Sequence, residues 1–451
     1  MFENLKRVVL GAILCVPAFA LLNAQTADIE PRSNSPYSRF GLGDIVNPLF
    51  AAQSGMGGLS AAYRDPFHLN MANPAALGHL MATDLETGFF AKYSSLSDGS
   101  TSASLWSGNL NYFALGMPII NPINRALEKK SDKIGLGMGF VLQPYSNVGY
   151  NLVTTQELPE IGEAVTSFKG SGGAYRLMWG NGFRYGRFSA GVNLGYLFGK
   201  MSFDRTVEFS DVANQAYLTR YLDEQSVSGF LWNAGAQVSI PLEKKPEGVG
   251  RSTKEKNLIL GLYGNSSTNL NTNNSRFHTR YNQTYNDRDT ILLETDSIRK
   301  GTLPGELVFG ITYDQSDKLK LGFEYALGGW SAYANPLQGQ TLSNTRRISA
   351  GIEYVPDMFS YNNYWQRVRY RGGIYHRTDP RSVNGKQLTE YGISAGLGFP
   401  VILPRQQTSF INLTLEGGRF GAGSPLRETY IRMTLGFTLN DNSWFFKRKF
   451  N

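Results

Sequence analysis

The chain has 451 residues, of which 41% are hydrophobic and 13% aromatic, with 50 glycines and a net charge of +8. So polar a composition excludes a bundle of membrane helices, but it suits a membrane β-barrel, in which only alternate strand residues must be apolar. The basic residues are scattered among carboxylates in short runs such as Lys447-Arg448-Lys449, which argues against nucleic-acid binding.

At the N-terminus, Lys6 and Arg7 precede an apolar stretch from Val8 to Leu22, and Leu22-Asn23-Ala24 offers a small residue before Gln25. This pattern predicts a cleaved export signal peptide over 1–24. An uncleaved anchor is the alternative, and the short apolar core argues against it. Removing Glu3, Lys6 and Arg7 with the leader leaves a charge of +7. The one cysteine, Cys15, lies in the leader, and Ala12-Ile13-Leu14 lacks the small residue that precedes a lipoprotein cysteine. The mature chain is therefore expected to carry no thiol, disulfide or cysteine-bound metal. No later stretch reaches about 18 consecutive apolar residues, the length of a membrane-spanning helix.

Residues 25–82 form a separate segment, rich in turns and without a long alternating run. Asn73-Pro74-Ala75-Ala76-Leu77 reads as a capped helix start: Asn73 can accept from free amides, and Pro74 fits the first helical position, where no donor is needed.

From about residue 85 the period becomes two. Ile134, Leu136, Met138 and Phe140 alternate with Gly135, Gly137 and Gly139, and Leu319, Leu321, Phe323, Tyr325 and Leu327 alternate with Lys320, Gly322, Glu324 and Ala326. Such runs are expected near 85–95, 104–116, 134–147, 165–181, 187–207, 226–240, 256–269, 304–314, 318–329, 344–355, 366–377, 389–400, 408–417 and 428–439. Their length matches membrane strands and exceeds that of ordinary soluble ones. The expected fold is all-β: a transmembrane antiparallel barrel of about fourteen strands over 83–451, preceded by a small N-terminal hatch or plug over 25–82, in the outer membrane.

With both termini periplasmic, the longest connections, about 208–225 and 270–303, fall outside the cell. Short ones, around Tyr185-Gly186, Asp314 to Lys318 and Pro404 to Gln407, fall inside, although those at about 117–133, 241–255 and 356–365 are longer than the rule expects. Trp106, Tyr112, Phe230, Trp232, Trp330, Tyr364 and Trp365 lie near strand ends, where interfacial girdles are expected. Lys320, Glu324, Glu353, Arg369, Arg371, Glu416 and Arg432 fall on the face opposite the apolar one and are expected in the lumen, because a charge facing lipid at the midplane costs about 2–4 kcal/mol. Two roles are open to them, a mutually paired network that fixes the barrel or the polar lining of a channel, and pairing is favoured.

Ser54-Gly55-Met56-Gly57-Gly58-Leu59-Ser60-Ala61-Ala62-Tyr63, followed by Asn73-Pro74-Ala75, resembles the N-terminal hatch of the FadL-like family of outer-membrane channels for long-chain fatty acids and other hydrophobic compounds. Gly135-Leu136-Gly137 with Gln143-Pro144-Tyr145 is similar to that family's glycine-rich third strand ending in proline and an aromatic. The resemblance implies a fourteen-stranded barrel, a hatch turn at Asn73, Pro74 and Ala75, and passive transport of a hydrophobic small molecule that leaves sideways near a bent strand. Pro144 would mark that bend, since proline removes a ladder donor; a proline just past the strand end is the alternative. The chain departs from the family in Tyr63-Arg64-Asp65-Pro66-Phe67-His68, in Ser146, and in its opening Ser35-to-Asp44 segment. The resemblance also extends to PorV-like members, which are partner proteins in type IX secretion.

Nothing in the sequence reads as an enzyme. His68, His79, His278 and His376 lack metal-ligand spacing, Gly135-x-Gly137-x-Gly139 is strand alternation rather than a phosphate loop, and no catalytic residue, metal or cofactor is expected. Asp289-Thr290-Ile291 and Asp296-Ser297-Ile298 resemble a short O-glycosylation site of some Gram-negative bacteria, a pattern that also arises by chance. The leading expectation is a passive channel for hydrophobic compounds, which predicts an apolar pocket between hatch and wall; the alternative is a non-transporting partner barrel in an outer-membrane secretion or assembly complex, which predicts an occluded lumen. The expected partners are outer-membrane lipid and either a hydrophobic ligand or other outer-membrane proteins, with no nucleic acid.

Overall fold

The structure, a computed structural model, describes residues 35–441 apart from 100–101, 121–124, 126–132, 159–161, 210–216, 243–254, 283–285, 337–338, 404–406 and 423. The expected leader over 1–24, the Lys447-Arg448-Lys449 run and most of the connections at 117–133 and 241–255 lie outside the described residues. After a two-residue strand, β1 (Asp44–Ile45), the wall is built from β2 (Thr83–Ser97), β3 (Ser102–Pro118), β4 (Ile134–Leu158), β5 (Gly162–Tyr185), β6 (Phe188–Phe209), β7 (Leu218–Pro241), β8 (Lys256–Asn265), β9 (Thr268–Asn282), β10 (Asp287–Leu303), β11 (Glu306–Gln315), β12 (Leu319–Gly328), β13 (Thr345–Tyr354), β14 (Arg369–Val383), β15 (Lys386–Leu403), β16 (Gln407–Phe420) and β17 (Arg427–Asp441).

These segments make a closed antiparallel barrel of fourteen strands, because β8 continues into β9 and β10 into β11. Closure comes from β17 pairing with β2 along its length, from Arg427↔Ser97 to Asp441↔Thr83. A closed wall leaves no unpaired edge in lipid, where an unmet backbone group costs several kcal/mol. The outer face carries the apolar half of the alternation: Phe89, Phe113, Phe140, Leu177, Leu194, Phe309, Phe323, Ile352, Ile393 and Met433 are all exposed to the surroundings of the barrel.

The wall is uneven in height. β4, β5, β6 and β7 have 25, 24, 22 and 24 residues, whereas β12 and β13 have 10 each. Crossing the bilayer takes about 9–11 residues, so the β4–β10 side projects well beyond it. The sequence analysis placed long loops here. Instead, β9 and β10 pair with each other as the two arms of a hairpin, and β7 already begins at Leu218. The outer parts of these strands, such as 287–300 of β10, are exposed or half-buried on both faces, so no apolar face marked them as strands.

Three local breaks shape the barrel. A bulge at Asn111 (Gly88↔Tyr112, then Phe89↔Leu110) reverses the faces of β3. Tyr112 therefore points inward, stacked on Phe50, instead of serving in a girdle. Trp330 is likewise absent from the girdle, packing against apolar residues at the mouth. The second break is at β4, which pairs with β3 only from Gly137 to Leu142, while its pairing with β5 continues to Leu158 through a bulge between Pro144 and Ser146. Pro144 is thus inside the strand, at the point where the β3 ladder has ended. The third break is at β7, which pairs with β9 up to Ser228 and with β8 from Ala234, leaving Gly229 to Asn233 without a ladder on that side.

Residues 35–82 run through the lumen against the inward faces of the wall. An ideal Cβ on Gly351 would lie 2.1 Å from the Met56 carbonyl oxygen, and one on Gly373 would lie 2.1 Å from the Gly57 nitrogen. The inward glycines are what let backbone lie on backbone. Gly351→Val is expected to leave the barrel closed but displace this segment, at an overpacking cost of about 1–3 kcal/mol. Limited proteolysis in detergent checks this: new cleavage within 50–65, with unchanged heat-modifiable migration on a gel, is the expected result.

Candidate functional site

The inner segment has little regular structure, so its polar backbone must be met by side chains. The wall supplies them from all round. The Ser60 and Ala61 amides both donate to Glu324 at 2.6 Å, and the Leu69 amide donates to Glu86 at 2.7 Å. Asn193 and Asn233 donate to the Met71 and Ala72 carbonyls at 2.7 and 2.9 Å, Gln237 to that of Ala61 at 2.9 Å, and Thr414 to that of Ala51 at 2.8 Å. Within the segment, Asn73 caps a 3-10 turn, Pro74–His79, its side chain accepting from the Ala75 amide at 3.1 Å and donating to the Ala61 carbonyl at 2.6 Å. Asn73, Pro74 and Ala75 are all buried in this turn, which packs on β4, β5, β6 and β7.

At one end of the lumen the charges converge on Asp65. Arg369 reaches its carboxylate at 2.5 Å and Lys320 at 3.0 Å, while Lys320 also meets Glu353 at 3.2 Å. Glu353 in turn accepts from Arg371 at 2.6 Å, and Arg371 donates to Asn412 at 2.7 Å. His68 lies 3.3 Å from Asp65 through one ring nitrogen and 3.1 Å from the Asn412 amide through the other. Glu324 binds Arg347 as well as the Ser60 and Ala61 amides. Glu416 and Arg432 sit apart at 3.8 Å beside a different cavity, and Arg432 donates to Asn111 at 3.0 Å. The structure therefore gathers Lys320, Glu353, Arg369 and Arg371 into one cluster, sets Glu324 next to it, and keeps Glu416 and Arg432 elsewhere.

Asp65, the centre of the cluster, was not singled out, since an aperiodic segment offers no alternation to read. Arg347 and Arg377 share the inward parity of Glu353, Arg369 and Arg371, and extending the alternation along β13 and β14 finds them. A second cluster ties the start of the segment to the wall: Arg381 binds Asp44 and Asp379, each at 2.6 Å, and donates to the Tyr37 carbonyl at 2.8 Å.

Asp44 and Ile45 form β1 on the free edge of β4, paired with Asn147 and Ser146, and the Val46 amide donates to the Tyr145 carbonyl at 3.0 Å. The segment thus occupies the place that β3 leaves beyond Leu142. The lumen beyond it is closed by a buried apolar cluster that includes Leu42, Val148, Leu197, Met201, Leu270, Leu303 and Tyr333. Among the described residues the spaces inside include cavities of about 150, 200 and 370 Å³, each lined by charged as well as apolar side chains.

Burial alone would raise the Asp65 carboxyl, but Arg369 and Lys320 hold it well below the usual carboxylate range. Its contribution to stability is present above the unfolded value of about 3.9 and is lost only as pH falls through the lower folded value. The inner segment is therefore expected to resist pepsin at pH 4 as it resists proteases at pH 7. Asp65→Asn leaves buried cations partly unpaired, at a cost of about 3–5 kcal/mol. Cleavage within 60–70 at both pH values, with a lower urea midpoint, is expected for this variant.

Two solved structures share this architecture. The toluene transporter TodX of Pseudomonas putida matches with 14% identity and a TM-score of 0.51, over 89% of this chain and 100% of that chain. The toluene transporter TbuX of Ralstonia pickettii matches with 11% identity and a TM-score of 0.51, over 88% and 99%. At these identities the likeness is one of fold, that of outer-membrane hydrocarbon transport barrels. Among curated proteins no sequence matches. The BamG family model matches residues 5–451, and with nearly its whole length so covered the chain belongs to the BamG family.

Proposed function

We propose that this chain is a non-transporting partner barrel, one subunit of an outer-membrane protein complex of the secretion or assembly type. The observation that carries this reading is β1. A barrel that released a ligand sideways at its third strand would need the gap between β3 and β4 open, and here the chain's own Asp44 to Val46 hydrogen-bonds the free edge of β4. Arg381 clamps that strap through Asp44. The inner segment is fixed by buried ion pairs, whose rupture is costly, and the cavities around it are partly charged instead of forming one apolar pocket. A surface that is rigid and occluded suits a scaffold better than a conduit.

The second reading is a passive channel for hydrophobic compounds, fatty acids among them. It is favoured by the loss of the β3 ladder beside Pro144 and by the fold shared with toluene transporters.

One pair of experiments separates the two. Native mass spectrometry of the protein, extracted from its own outer membrane in mild detergent, is expected to give a stoichiometric complex with other outer-membrane proteins. A lone barrel carrying a fatty-acid-sized mass would sink the partner reading. A disulfide between Ile45→Cys and Ser146→Cys, which face each other across the β1–β4 pair, is expected to form and leave the assembly intact. Uptake of an apolar dye that this lock abolishes would instead establish the channel.

A further inference from the structure

On its tall side the wall continues past the bilayer as an open sheet in the order β4, β5, β6, β7, β9 and β10, so it has two edges there. At β4 the chain meets the edge itself. β1 pairs with Ser146 and Asn147, and the Ser38 hydroxyl donates to the Gly149 carbonyl and accepts from its amide at 3.4 and 3.3 Å. The edge at β10 is left open. β9 pairs with one side of β10 from Asp287 to Leu303. On the other side β12 ends at Gly328, opposite Glu306, and beyond it Thr302 exchanges hydrogen bonds with Ala334 at 2.9 and 3.2 Å. From Asp287 to Lys300 no strand lies on that side among the described residues.

Thr302 fixes which groups this edge presents. Along an antiparallel strand, successive residues turn their amide and carbonyl to opposite sides. Register with β9 is unbroken from Thr302 to Ser297, so Lys300 and Ile298 aim theirs away from β9, as Thr302 does. Such a row is a template for another strand, and native edges are usually short or covered for that reason. The side chains here are apolar as well: Ile291, Leu293 and Ile298 are 51, 62 and 76% exposed. The bilayer does not cover them, since Arg299 and Lys300 stand between Ile298 and the lipid-facing Leu307 and Phe309 of β11. The acids of β10 are engaged, Asp289 with Arg280 at 2.6 Å, Glu294 with Arg299 at 3.4 Å and Asp296 with Asn273 at 3.0 Å. Its cations Arg288 and Lys300 have no carboxylate within 4 Å among the described residues.

We propose that the free edge of β10 receives an extended segment of a partner protein at the cell surface, which adds to the sheet as one more strand. Main-chain hydrogen bonds to groups such as those of Ile298 and Lys300 would hold it, and its side chains would set the specificity. The segment has an apolar centre, against Ile291, Leu293 and Ile298, and acidic residues toward its ends, against Arg288 and Lys300. A second copy of this chain does not fit. Two barrels standing in one membrane run β10 in the same sense, which bars antiparallel pairing of β10 with itself, and parallel pairing is the weaker kind. The inference rests on the partner-barrel reading and gives that partner a surface and a chemistry.

The test places a photo-crosslinking phenylalanine at Leu293 or at Ile298 of the full-length protein in its own outer membrane, with Val153 on the β4 edge as the control. Crosslinked peptides are sequenced, and the complex is read in parallel by native mass spectrometry. Both probes are expected to capture one segment of one subunit of that complex, apolar with acidic flanks, and the control is not. Between the two probes the captured position is expected to move along the segment by as many residues as the probe moves, which side-chain contact without strand pairing would not produce. Ile298→Pro removes an amide that faces away from β9, a place where an edge strand tolerates proline. It is expected to lower capture at Leu293 about ten-fold or more, the scale of one or two lost hydrogen bonds, with heat-modifiable migration unchanged. Ile298→Val is expected to retain capture. An intact complex with no adduct at either probe, or with capture that Ile298→Pro does not change, overturns this inference and leaves the partner-barrel reading standing. Adducts between two copies of this chain, or a sugar on Thr290 covering the edge, overturn it too. A lone barrel overturns both.

Discussion

An irregular stretch of chain enclosed in a narrow lumen has amide and carbonyl groups that neither helix nor sheet can satisfy, and a set of polar inward residues of this barrel answers that demand. Glu324 and Glu86 accept from amides, while Asn193, Asn233, Gln237 and Thr414 donate to carbonyls. The glycines complete the arrangement by removing side chains where backbone must lie on backbone, as at Gly351 and Gly373. The polar inner face thus reads first as a lining for protein. This adds to the partner-barrel reading that β1 carries, because a lining bonded to its own segment has few groups left over for a passing solute.

The ion pairs serve the same end by a different route. Asp65, Arg369, Lys320, Glu353 and Arg371 tie three wall strands to one residue of the segment. Such a network adds less net stability than its charges suggest, since each ion has been taken out of water. What it adds is definition, because only one placement of the segment pairs every charge. The glycine contacts make the same demand sterically. Together they make displacement of the segment expensive in two independent ways.

The strands could be read from the sequence wherever one face meets lipid and the other meets protein, as in β12, where Leu319 to Leu327 alternate with Lys320 to Ala326. The inward positions of Lys320, Glu324, Glu353, Arg369 and Arg371 were legible for that reason, since their strands pair in unbroken register there. Reading failed where that contrast vanishes. Most of β10 and the outer half of β9 are exposed or half-buried on both faces and carry no period that separates strand from loop. A bulge defeats alternation altogether, which is why the inward position of Tyr112 could not be read from it. Asp65 lies in an aperiodic segment, and no spacing rule applies to it.

The closing pair of the barrel joins Thr83 to Asp441, the first and last residues of the wall. Residues 35–82 precede that first strand and fill the space it helps to enclose. Contacts at Gly351 and Gly373 leave no clearance for threading the segment into a finished cylinder. The segment therefore has to be in place before the seam between β2 and β17 closes around it. Pairing so distant in sequence is slow to form, which sets this seam apart from the hairpins that join neighbouring strands.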